Sequence, residues 1–209
     1  MASRLALVLA LVLLIRLPFL NQAIQGDDVY YLAAAQHAQI DPLHPNHVQY
    51  VFLGDRVDLR GHPHPPLNAW ILALLLAVLG DIHEAAYHAV YIVFSLAAAW
   101  AMWSLARRFS PRPLWATLLF AATPAFVING TSLEADVPFL AFWLASVALY
   151  VAGRPYAAAC AMALTALAAY QAIFLTPILL VYARLHRRRD WPVTLAPLVV
   201  LAAWQVFER

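Results

Sequence analysis

Two pairs of carboxylates interrupt an otherwise apolar chain, and their placement is what could support chemistry. Asp27 and Asp28 sit in Gly26-Asp27-Asp28-Val29-Tyr30-Tyr31, just past the first hydrophobic segment. Glu134 and Asp136 sit in Ser132-Leu133-Glu134-Ala135-Asp136-Val137-Pro138, between two later segments. Ionised side chains are costly beside a bilayer, so acids at segment ends are functional candidates by default. A carboxylate at such an edge works as a general base when burial and neighbours tune its pKa. Capping a helix is the simpler role. It accounts for one acid well, and for two acids followed by paired tyrosines less well. If both pairs face one side of the membrane, they form one active site.

Other polar residues are weighed against plainer roles. His44-Pro45-Asn46-His47 and His62-Pro63-His64 place imidazoles near Asp55 and Asp58, a combination that suits zinc. The prolines keep both pairs off a helix and no HExxH register appears, so His44 and His47 read as parts of a wet loop and no metal ligands are assigned. His64 differs, because it precedes Pro65-Pro66-Leu67 at the membrane edge, where it is suited to hold a phosphate. Arg16, near the outer end of the first span, snorkels to the interface or contacts a phosphate above the site. Cys160 is the single cysteine, which excludes an internal disulfide and a cysteine-based metal site, and it reads as a small packing residue.

The elements that must position these groups are membrane helices. Of 209 residues 64% are hydrophobic and only 11% charged, less than half the charged share of ordinary globular chains. A net charge of +2 argues against nucleic acid as a partner. Residue Arg4 before the run 5–15 mimics a signal peptide, but no small-residue cleavage site follows, so an uncleaved first span is expected. Apolar stretches run at about 5–20, 66–79, 85–106, 113–130, 137–153, 156–183 and 192–207. A span needs about 20 residues, so 66–79 is short; 156–183 is long and is interrupted at Tyr170-Gln171, with Pro177 a further kink or hairpin point. All 13 basic residues are Arg. If every stretch crosses once, Arg107, Arg108, Arg112 and Arg154 fall outside and Asp136 lies opposite Asp27. If 66–79 only dips into the outer interface and 156–183 crosses twice, every Arg cluster is inside and both acidic pairs face outward. The second solution satisfies the positive-inside rule and is preferred.

The whole chain, 1–209, is thus one transmembrane domain, with 21–65 as its first outer loop. That loop opens with a helix: Asp27 and Asp28 favour a first turn, and Val29, Leu32, Ala33 and Gln36 follow at helical spacing. Such a helix lies along the membrane surface. The loop closes at Pro63, Pro65 and Pro66, which enforce extended backbone.

The order of these motifs resembles the N-terminal module of GT-C fold glycosyltransferases. The closest similarity is to glycosyltransferase family 39, the dolichyl-phosphate-mannose protein mannosyltransferase-like group, and to its aminoarabinose transferase relatives. It rests on Asp27-Asp28-Val29-Tyr30-Tyr31, then His64-Pro65-Pro66-Leu67, then Pro124-Ala125-Phe126-Val127 and Glu134-Ala135-Asp136-Val137-Pro138-Phe139, and covers roughly 5–190. The resemblance implies an all-α, polytopic helix bundle with a juxtamembrane helix in the first outer loop. It implies inverting transfer of a sugar from a polyprenyl-phosphate donor to a hydroxyl of a lipid, glycan or protein acceptor on the outer face of the membrane, a bacterial inner membrane. Asp27 or Asp28 would be the general base and Asp136 would assist, with His64, Arg16, Tyr30 and Glu134 binding substrate. A phosphate leaving group needs only modest electrostatic help, so no cofactor is required, and dependence on a divalent metal stays open. Family members are usually longer, which sets the alternative: a non-catalytic membrane subunit or lipid-binding module of the same fold, completed by a C-terminal region or partner chain.

Overall fold

A computed structural model describes residues 2–61 and 64–208. The first helix, α1 (Ala2–Arg16), ends in a 3-10 turn at Leu17–Phe19. The loop 21–65 then carries α2 (Asp28–His37) and a hairpin of β1 (Gln49–Phe52) and β2 (Asp55–Asp58). Next come α3 (Leu67–Leu79), α4 (Glu84–Phe109), α5 (Pro113–Ala121) and α6 (Pro124–Ile128). The last four are α7 (Asp136–Val151), α8 (Pro155–Ala168), α9 (Leu175–Leu185) and α10 (Ala196–Glu208). Proline opens α5, α6 and α8, where its missing N–H leaves no intrahelical bond unmade.

The bundle is all-α apart from the hairpin, which lies in the loop and was not anticipated. Its antiparallel register runs from Gln49 opposite Asp58 to Phe52 opposite Asp55. The reversal is made by Leu53 and Gly54, both at positive φ (52° and 94°). Tyr50 and Phe52 share one face of the ladder and rest on Tyr30 of α2, with ring centroids 4.5 and 6.1 Å away.

Helix α4 and the segment Trp191–Glu208 are long and apolar enough to cross a membrane, and α5 with the segment Pro124–Thr131 is a further candidate, bent by 61° at its break. Contacts at the ends of the shorter helices show where they run. Helix α7 starts at Asp136 beside the acidic loop and ends at Tyr150, whose ring lies under the Arg188 guanidinium. Helix α8 returns, because Ala168 O accepts from His64 Nδ1 at 3.2 Å. Helix α9 goes back to Arg188. Helix α3 begins and ends at the acidic end: Asn68 binds Leu133 there, and the turn after α3 leads to Glu84, which accepts from Ile24 N at 3.3 Å. So both ends of 66–79 lie at one end of the bundle, and 156–183 forms two helices, α8 and α9, that run through it in opposite directions. The chain break inside 156–183 falls at Ala169, whose backbone is extended, and a 3-10 stretch Tyr170–Phe174 follows. Pro177 lies in the first turn of α9 and makes no kink. Small residues let α7 and α8 pack closely; Ser146 and Thr165 meet across them at 3.3 Å. Cys160 on α8 is exposed, so it is not the packing residue expected.

Helix α2 is amphipathic in a different register from the one read in the sequence. Asp28, Tyr31, Leu32, Ala35 and Ala38 are buried, against Leu72 and Ala73 of α3 and Tyr87 and Tyr91 of α4, while Val29 and Gln36 are exposed. The apolar neighbours supplied by α3 and α4 decide which stripe turns inward.

At the acidic end, Arg16 is wholly buried. Its guanidinium donates to Val127 O (2.7 Å), to Phe126 O and to Ser95 Oγ (3.2 Å), and lies 4.7 Å from the Phe126 ring centroid. These are carbonyls at the end of α6, where the helix dipole is negative and no further turn accepts N–H bonds. Gly130 makes room for it: a Cβ there would lie 1.7 Å from the Arg16 guanidinium carbon. Gly130→Ala is expected to displace the guanidinium and lower stability by about 2–4 kcal/mol, in the range for disrupting a buried hydrogen-bonded charge. In an Arg16→Met background the same glycine change is expected to cost much less, because the clash is gone. Thermal unfolding of the purified protein and its single and double variants measures this; equal costs in both backgrounds would refute the close fit.

Candidate active site

The site is built on the stretch from Phe126 to Asp136, where the chain leaves regular helix and its backbone groups need other partners. Each part is held by a side chain from another element. Past the Arg16 contacts, Gly130 O accepts from Ser95 Oγ at 2.8 Å. The His88 ring joins Thr131 O (Nδ1, 2.6 Å) to Gln22 O (Nε2, 2.9 Å). Thr131 Oγ1 donates to Gln22 Oε1 at 3.3 Å. Leu133 O accepts from Asn68 Nδ2 at 2.8 Å, and Asn68 Oδ1 accepts from Tyr91 OH at 2.6 Å.

Asp28 completes the clamp and thereby separates the roles of the first acidic pair. Its Oδ1 accepts from Leu133 N (2.8 Å) and from Ser132 Oγ (3.0 Å), and the residue is buried. Asp28 therefore ties the start of α2 to the loop before α7. Asp27, the N-cap residue, makes no side-chain capping bond and is exposed. Asp136, in the first turn of α7, is also exposed, and Glu134 is half-buried with its N–H on Ser132 Oγ at 3.1 Å.

Electrostatics place these acids in one patch. The Glu134 carboxyl is raised to about 7, first by burial and then by the charges of Asp136, Asp28 and Asp27. Burial, and then the charges of Asp136, Glu134 and Asp27, push the Tyr31 hydroxyl up. Burial lowers the His64 imidazole from its usual value, opposed by its bond to Ala168 and by Asp136 and Asp27. His64 also meets Tyr31 edge to face at 5.6 Å. Asp27, Asp136, Glu134, Tyr31 and His64 thus surround one surface, able to accept a proton, to hold one on Glu134 near neutrality and to meet a polar ligand.

Arg16 is not part of that surface: it neither snorkels nor faces a ligand, because its donors are committed to carbonyls inside the bundle. Tyr30 is half-buried under the hairpin rings. His44 and His47 are not a bare wet loop. His44 pairs with Asp41 at 3.0 Å and stacks on Phe207, and His47 lies 3.5 Å from Glu208, which straps the loop 21–65 to α10. His62 lies outside the described residues. Among those residues no three His, Cys, Asp or Glu side chains form a group suited to a metal ion. Sequence reasoning passed over His88, Tyr91, Ser95 and Asn68. The signal was available: His88, Tyr91 and Ser95 are polar groups at i, i+3 and i+7 in an apolar helix, and so share one face.

The family model of dolichyl-phosphate-mannose-protein mannosyltransferase matches residues 63–207, more than half of the chain. No curated protein and no solved structure matches. The matched stretch contains His64, Glu134 and Asp136 and begins after Asp27 and Asp28, so the roles of those two rest on geometry.

An acid whose pKa rises on folding keeps its proton in the native state after the unfolded chain has lost it. The native state is then penalised progressively as pH rises from the ordinary value of 4.5 to about 7, and no further above that. The melting temperature of Glu134→Gln relative to the parent is expected to increase across that window and level off beyond it. A difference independent of pH would show that Glu134 ionises normally.

Proposed function

The chain belongs to the dolichyl-phosphate-mannose-protein mannosyltransferase family, a family of membrane glycosyltransferases, and from that premise we propose that it moves a sugar from a polyprenyl-phosphate donor to an acceptor hydroxyl, with Asp27 as general base. The observation that carries the assignment is the division of the acidic pair: Asp28 is spent on Leu133 and Ser132, while Asp27 stays exposed and, like Asp136, acts by its charge on Glu134, Tyr31 and His64. In this reading Asp27 takes the acceptor proton as the acceptor oxygen bonds to the anomeric carbon. The bond from that carbon to the phosphate oxygen breaks on the opposite face, so the configuration inverts. The lipid phosphate leaves with the electron pair, and Asp27 returns its proton to water.

Charge constrains this scheme. Asp27, Glu134 and Asp136 ionised together would repel a donor phosphate. A proton retained on Glu134 near pH 7 removes one of those charges. His64 contributes a cation to phosphate only when protonated, which its burial disfavours. Asp136 is assigned to orient the acceptor or the phosphate from the start of α7.

A general base supplies typically about 10²–10⁴-fold in rate, so Asp27→Asn is expected to reduce sugar transfer by that order with normal folding. Asp28→Asn keeps an acceptor oxygen for Leu133 and Ser132 and is expected to retain much of the activity, whereas Asp28→Ala is expected to lower the amount of folded protein. Release of polyprenyl phosphate from a panel of polyprenyl-phosphate sugars, assayed in membranes containing each variant, measures both. Full activity in Asp27→Asn would end the general-base assignment.

The acidic end is assigned to the outer face and the arginine end to the cytoplasm, by the positive-inside rule. In a Cys160→Ser background, Ala23→Cys is expected to react with an impermeant thiol reagent applied from outside, and Ser110→Cys only after the membrane is opened. The reverse labelling pattern would invert the topology and move the site to the cytoplasm.

A further inference from the structure

At the end of the bundle opposite the acids, a cavity of about 480 Å³ lies between α9 and Trp191. It is lined by Leu180, Val181, Ala183 and Trp191, and is headed by Arg184, Arg187 and Arg188. Arg188 is already engaged: it pairs with Asp190 and lies over Tyr150. Arg184 and Arg187 are exposed and make no side-chain hydrogen bond or ion pair among the described residues. The cavity therefore joins an apolar floor to two uncompensated guanidinium groups.

The backbone under Arg187 supplies an independent observation. Helix α9 ends with Arg188 N on Ala183 O (2.8 Å) and Arg187 N on Arg184 O (3.3 Å), which requires a left-handed residue at 187. Helix α7 ends with the same pair of bonds, from Arg154 N to Leu149 O (2.9 Å) and from Gly153 N to Tyr150 O (3.0 Å), with Gly153 at φ 78°. Glycine takes that conformation freely, whereas Arg187 adopts it at φ 49° against its own Cβ. A side chain kept where glycine is favoured points to a role for the side chain.

We propose that this cavity binds an anionic glycerophospholipid of the adjacent leaflet, its phosphate on Arg184 and Arg187. Guanidinium groups match phosphate oxygens in a planar, two-point arrangement, and Trp191 suits the interface between headgroup and acyl chain. Ile178, Val181 and Leu185 of α9 are exposed and recur at i, i+3 and i+7, a strip along which the acyl chains lie. That strip selects a diacyl lipid over free phosphate, which has nothing to place there. The site lies at the far end of α7 from Asp136 and is separate from the sugar-transfer patch.

Thermal unfolding of the whole purified protein, with phosphatidylglycerol, phosphatidylcholine or inorganic phosphate added to the detergent, tests this. Phosphatidylglycerol is expected to raise the melting temperature, with phosphatidylcholine and inorganic phosphate having little effect. The apparent affinity is expected to weaken about tenfold in Arg184→Gln and in Arg187→Gly, and to be unchanged in Arg189→Gln, which adjoins the cavity without lining it. Arg187→Gly should also melt higher than the parent without lipid, since it relieves the left-handed residue, and so separates lost binding from lost folding. Equal stabilisation by both lipids, an equal loss in Arg189→Gln, or an undiminished response in Arg184→Gln and Arg187→Gly would overturn the proposal. A comparable shift with inorganic phosphate would assign the site to a free anion instead.

Discussion

The stretch from Phe126 to Ala135 carries backbone groups that no helix satisfies, at the edge of an apolar bundle, and the acidic end is organised around meeting that need. Leaving a buried carbonyl or N–H unpaired costs about 1–3 kcal/mol, so several together would exceed what a few apolar contacts return. The partners come from Arg16 of α1, Asp28 of α2, Asn68 of α3 and His88 and Ser95 of α4. Each is a polar group placed in or beside a hydrophobic segment. A loop held from four directions fixes the start of α7, and with it the position of Asp136.

This requirement accounts for where two charged residues that look chemical in the sequence are held. Among the described residues Arg16 has no carboxylate partner; its charge is balanced by carbonyl dipoles and by the face of Phe126. That solution works only because Gly130 has no side chain. Asp28 plays the complementary part with N–H and O–H donors. A cation answers carbonyls and an anion answers donors a few residues apart on the same loop. The carboxylates outside this clamp act on one another at Glu134, whose carboxyl is raised first by its own burial and then by the charges of Asp136, Asp28 and Asp27.

Much of the architecture was legible because hydropathy and arginine placement carry it. The short run at 66–79 and the interrupted run at 156–183 resolve as α3, which stays at one end, and as α8 and α9, which traverse the bundle. The hairpin was not legible: Leu53-Gly54 is a weak turn signal, and β1 and β2 are stabilised by Tyr30, a contact from outside the local sequence. In the site, the acids stood out by type, while Asn68, His88 and Ser95 did not, because an uncharged polar residue in a span is unremarkable until the loop it serves is seen. Arg16 was misplaced for a related reason. Sequence gives its depth along a helix and not the direction it faces, and a guanidinium at the end of a span reaches lipid headgroups or buried carbonyls equally well.

Direction also separates the two members of the acidic pair in space. Successive residues on an α-helix point about 100° apart, so Asp27 and Asp28 cannot both face the loop before α7. The choice between them is made further along α2. Tyr31, Leu32 and Ala35 are buried against α3 and α4, and Asp28 lies on their side of the helix, three, four and seven residues upstream. The apolar stripe fixes the rotation of the helix, the rotation delivers Asp28 to Leu133 and Ser132, and Asp27 is left facing outward. Had the stripe been Val29, Leu32, Ala33 and Gln36, as their spacing suggested, the helix would be turned and Asp28 would no longer point at the loop. The exposure of Asp27 at the surface is therefore set by three hydrophobic residues further along the helix.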